Sequence, residues 1–72
     1  MLTKRSLSIS GHRTSLALEP EFWAVLDAMV QERSLPFAAL IREIDEQRAT
    51  TDPEQALSSA CRVFALAAAQ KS

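Results

Sequence analysis

The residues able to do chemistry are few and unevenly placed. Positions 1–18 hold Lys4, Arg5, His12 and Arg13 and no acid, a formal +3 with histidine neutral. Positions 19–72 hold nine acids against Arg33, Arg42, Arg48, Arg62 and Lys71, a formal −4. The total of −1 hides this asymmetry, and the basic segment is where a polyanion would dock. Catalysis has no comparable support. One histidine and one cysteine, His12 and Cys61, rule out a four-ligand Cys/His zinc site and an intramolecular disulfide. No acid is paired with a base or nucleophile, and nothing supplies a phosphate-binding loop. The expectation is a protein that is not an enzyme and takes no metal and no cofactor. His12 reads as a turn residue, and Cys61, at helical spacing with Leu57 and Phe64, as a small core hydrophobe.

The basic segment lies on alternating sequence. Leu7 and Ile9 are separated by Ser6, Ser8 and Ser10. Past Gly11, the single glycine, Thr14, Leu16 and Leu18 alternate with Arg13, Ser15 and Ala17. Period-two alternation signals a half-buried strand. It predicts a strand at 13–18 and leaves two arrangements for 1–12: a basic arm, or an extra strand folded back over Ser10-Gly11-His12.

Helical signals follow. Pro20 and Glu21 suit a first turn, and Phe22, Val25, Leu26, Met29 and Val30 make one apolar face, which Trp23 widens; this predicts a helix over 20–33. Pro36 pushes Leu35 out of helical geometry. A second helix, 36–49, carries Phe37, Leu40, Ile41 and Ile44. Asp52-Pro53-Glu54-Gln55 resembles a capping box and predicts a third helix over 53–70, with Leu57, Ala60, Cys61, Phe64 and Ala68 as its stripe. That helix is apolar over most of its girth. No stretch is long and apolar enough to span a membrane, and no signal-peptide core is evident, so a cytoplasmic location is expected.

Size adds a constraint. A single domain of 72 residues, 47% of them hydrophobic, is marginal without staples. Oligomerisation is the remaining way to bury that surface, and a homodimer is expected, with a tetramer through the third helix left open.

A strand, a proline-started helix, a tight break and a second helix resemble the ribbon-helix-helix repressors of the Arc/MetJ type. Arg13 to Trp23 is similar to their strand-to-helix passage, and Ser34 to Ile41 to the start of their second helix. A set of small bacterial ribbon-helix-helix proteins is more similar still, through Lys4-Arg5-Ser6, Gly11-His12-Arg13-Thr14-Ser15, Glu19, Phe22-Trp23, Leu57-Ser58-Ser59-Ala60 and Arg62-Val63-Phe64. The resemblance implies a mainly α fold with one short β-ribbon and a third C-terminal helix, built as an intertwined homodimer. It implies one ribbon strand per chain and a core of Leu16, Leu18, Phe22, Trp23, Leu26, Leu40, Ile41, Ile44 and Phe64. It also implies that the ribbon presents Arg13, Ser15 and Ala17 to base edges in the major groove of double-stranded DNA. Lys4, Arg5 and the backbone at Phe37 are then expected at phosphates. The function implied is sequence-specific DNA binding, with transcriptional regulation from a palindromic site. The alternatives are a protein–protein interaction module that does not bind DNA, and an antitoxin.

Overall fold

The computed structural model describes residues 1–71. Strand β1 (Thr3–Ile9) turns back into strand β2 (His12–Leu18), and helices α1 (Pro20–Arg33), α2 (Phe37–Thr51) and α3 (Leu57–Gln70) follow. The fold is therefore mainly α with one two-stranded antiparallel ribbon. Both strands of this hairpin belong to one chain, with residues 3–9 as the extra strand that the sequence left open beside a basic arm. The physical reason is the turn. Ser10 and Gly11 both have positive φ, 52° and 81°, the conformation that lets a two-residue loop close a hairpin without splaying its strands. Arg5 pairs with Leu16, Ser6 with Ser15, Leu7 with Thr14 and Ser8 with Arg13.

The helices end for identifiable reasons. After α1, Ser34 takes a left-handed φ of 55°. Its N–H donates to the Gln31 carbonyl, and that of Leu35 reaches back to Val30. This is a Schellman-type ending, formed here without glycine. Pro36 has extended backbone and precedes the first turn of α2 rather than joining it; its carbonyl accepts from Ala39 and Leu40.

The third helix starts four residues later than the capping signal predicts. Asp52 ends α2 instead of starting α3, and its carbonyl accepts from the Gln55 N–H. Arg48 decides this. Its guanidinium holds Asp45 at 2.8 Å and also donates to the carbonyls of Pro53 and Gln55, at 3.0 and 3.1 Å. Residues 53–55 are thereby fixed as a turn, and α3 begins after Ala56.

The core lies between the inner face of the hairpin and the three helices. Leu18, Leu26, Leu40, Ile41 and Cys61 are fully buried, and Ile9, Leu16, Trp23, Ile44, Ala60 and Ala65 complete the buried set. Phe22 and Phe64 are half-buried against it. β1 packs on α2 and β2 on α3. The hairpin's inner face covers apolar surface of the helices within the one chain. No buried side-chain polar atom among the described residues lacks a hydrogen-bond partner, and no helix among them is long and apolar enough to cross a membrane.

Candidate nucleic-acid interface

A two-stranded ribbon has two faces, and its register assigns every side chain to one of them. Leu7, Ile9, Leu16 and Leu18 fall on one face, with Arg5 and Thr14, and turn toward the helices. The other face carries Lys4 opposite Ala17, Ser6 opposite Ser15 and Ser8 opposite Arg13. All six are exposed except the half-buried Ala17. Arg13, Ser15 and Ala17 thus share the outward face, joined there by Lys4, Ser6 and Ser8. The large apolar side chains of both strands face inward, so the outward surface is small, hydroxyl-rich and cationic at two diagonal corners.

Arg5 sits elsewhere. It was expected at a phosphate, but it is on the inner face and its guanidinium donates to both carboxylate oxygens of Asp27 at 2.9 Å. The same group lies 4.3 Å from the centroid of the Trp23 ring and 5.4 Å from that of Phe37. Trp23 in turn donates its indole N–H to the Thr3 carbonyl at 2.7 Å. Together these contacts pin the start of β1 to α1 and α2. The Asp27 hydrogen bonds raise the Arg5 pKa, and Arg5 holds the Asp27 carboxyl below its ordinary value.

Lys4 and Arg13 make no ion pair among the described residues. The same holds for Arg42 and Lys71 among the described residues, whereas Arg5, Arg33, Arg48 and Arg62 are committed to Asp27, Glu43, Asp45 and Glu19. His12 is exposed beside the turn, paired with Ile9. The Phe37 ring packs on Trp23 with centroids 5.6 Å apart. Its backbone N–H belongs to the first turn of α2, where amides have no intrahelical partner.

Sequence reasoning passed over Ser6 and Ser8 as residues of the outward face and Asp27 as the partner of Arg5. The first had a signal: across a two-residue turn at Ser10-Gly11, alternation forces residues 4, 6 and 8 onto the face of 13, 15 and 17. The second had none, because the partners stand 22 positions apart. No group of three or more His, Cys, Asp or Glu among the described residues gathers to hold a metal ion.

An antiparallel ribbon followed by paired helices defines the ribbon-helix-helix class. The chain belongs to that family: the family model for the ribbon-helix-helix domain matches residues 2–69. Members of the family commonly bind DNA as regulators or act as antitoxins. No curated protein and no solved structure matches the chain.

Proposed function

We propose that this protein binds double-stranded DNA in a sequence-specific way, laying the outer face of its hairpin in the major groove, and that it regulates transcription. One observation carries the reading: the ribbon face turned away from the core holds Lys4 and Arg13 without ion-pair partners among the described residues, amid side chains no larger than serine. A two-stranded ribbon fits the major groove. Lysine and arginine bond guanine O6 and N7, serine bonds either base class, and the Ala17 methyl meets a thymine methyl. The remainder of the chain is net acidic and repels phosphate, which favours approach through the basic hairpin.

Fluorescence anisotropy with labelled duplexes at increasing salt tests this. Affinity falls linearly on a double-logarithmic plot, and removing either Lys4 or Arg13 makes the slope shallower by about 0.9. A salt-independent signal, or no binding at low salt, sinks the reading.

A second reading, an oligomerisation module on the same scaffold, is favoured by α3. Val63 and Leu66 are 60% and 55% exposed there, and the one charged residue within the helix, Arg62, is tied to Glu19. Light scattering of the wild type and of Leu66→Glu distinguishes it: an assembly that dissociates in the variant, with no DNA affinity in either, establishes this reading over the first.

A further inference from the structure

Helix α3 has two stripes on opposite sides. Ala60, Cys61 and Ala65 are buried on the side of the core. Half a turn round stand Ser59, Val63, Leu66 and Gln70; the last three are exposed and Ser59 is half-buried. Their spacing of four, three and four residues is that of the seam between two packed helices. Two branched apolar side chains fill the middle of this seam, and a polar residue closes each end.

From this seam we infer that α3 is an interface between two copies of this chain, the helices packing antiparallel about a twofold axis that sets Val63 against the partner's Leu66 and Ser59 against the partner's Gln70. The inference deepens the oligomerisation reading above, on which it rests, and is independent of what the hairpin binds. Reversal of the seam sets apolar on apolar and polar on polar. It also sets small on large at every place, valine on leucine and serine on glutamine, and the hydroxyl can bond the amide. Parallel alignment would instead crowd the two glutamines, leave a gap at the two serines, and add the helix dipoles rather than oppose them.

Charge selects the same face. A twofold contact lays a surface on its own copy. Helices α1 and α2 carry three acids each and are net acidic, and the outward hairpin face holds Lys4 and Arg13, so each of these surfaces repels itself. Helix α3 has no acid and one base, Arg62, which is tied to Glu19. Its outward seam is neutral from end to end, and a second copy meets no like charge there. The 14 residues of α3 span about 21 Å. A contact of that length and one helix wide falls short of the roughly 800 Å² per partner of a standard interface, so the association is reversible, over roughly micromolar to millimolar concentrations. It doubles whatever unit the other surfaces of the chain build.

Sedimentation equilibrium of the full chain across that range tests the inference. At the top of the range the wild type has twice the mass of Leu66→Glu, whose self-association is weakened by about tenfold or more. Adding Val63→Lys to Leu66→Glu restores the doubling, because each ammonium then faces a carboxylate across the axis. Both positions are exposed, and circular dichroism checks that the variants fold. Orientation is read separately by oxidation. Ser59→Cys and Gln70→Cys chains link to each other when mixed, and neither links to itself, because antiparallel helices hold like positions about 16 Å apart along the axis. Cys61 is buried and stays out of the reaction. Self-linking of Ser59→Cys overturns the antiparallel geometry. Equal masses for the wild type and Leu66→Glu overturn α3 as the interface. If both then exceed one chain, oligomerisation through another surface stands; if both are monomers, that reading falls as well.

Discussion

The Arg5 guanidinium and the Asp27 carboxylate meet through two parallel hydrogen bonds of 2.9 Å, bridging the first strand and the middle of the first helix. The charge stacks on Trp23 at 4.3 Å. A planar fork is needed for both contacts at once, and an ammonium supplies neither the fork nor the flat face.

Arg5→Lys is therefore expected to lower stability by about 1 kcal/mol, the scale of a partly exposed ion pair with a cation–π contact, although charge is retained. Urea denaturation measures the change. An unchanged midpoint would mean that the pair leaves the hairpin's docking unaffected.

Acid should loosen the same contact. Asp27 is lowered first by its hydrogen bonds from Arg5, and Glu19 first by its hydrogen bond from Arg62. A carboxyl with a depressed native pKa contributes stability that is full above its unfolded value, near pH 4. That contribution is lost as pH falls through the lowered native value. The thermal midpoint should hold from neutral pH to about pH 5 and decline below about pH 4. Asp27→Asn should begin lower at neutral pH and decline less steeply.

Two left-handed residues respond in opposite directions to simple substitutions. Ser34 carries a φ of 55° without being glycine, so Ser34→Gly is expected to raise stability by about 0.5–1 kcal/mol. Gly11 has a φ of 81° and nothing within 4 Å of where a Cβ would stand. Gly11→Ala therefore meets no clash, yet loses about 1 kcal/mol to backbone strain. Chemical denaturation of the two variants checks both signs.

Cys61 is fully buried, and burial pushes its thiol up to about 11. The thiolate is the reactive form, so iodoacetamide at pH 8 should modify the native protein only as fast as it opens and the denatured protein far faster. Mass spectrometry over time follows the difference. Rapid modification without denaturant would contradict the packing of α3 against the core.

What could be read from the sequence divides by range. The bounds of α1 were legible because Pro20, Glu21 and the stripe from Phe22 to Val30 are local signals of one element. The start of α3 was not, because Asp52 and Gln55 have capping chemistry whether or not a helix follows. The deciding group, Arg48, acts from the preceding helix. Alternation on both sides of Ser10-Gly11 suited a hairpin and a strand-with-arm equally, and only positive φ at both turn residues selects the first. For Arg5, neighbouring residues suggested a basic arm, while its actual partner lies a helix away in Asp27.

The ribbon also divides labour between its faces. The six outer side chains stand apart from the buried cluster that holds the fold together, so their identities are nearly independent of whether the chain folds. Under the proposed DNA-binding reading, recognition can drift, or be rewritten by design, one outward position at a time while the inward leucines stay fixed. On that reading a small domain with little stability to spare keeps its capacity for new specificities where change costs it least.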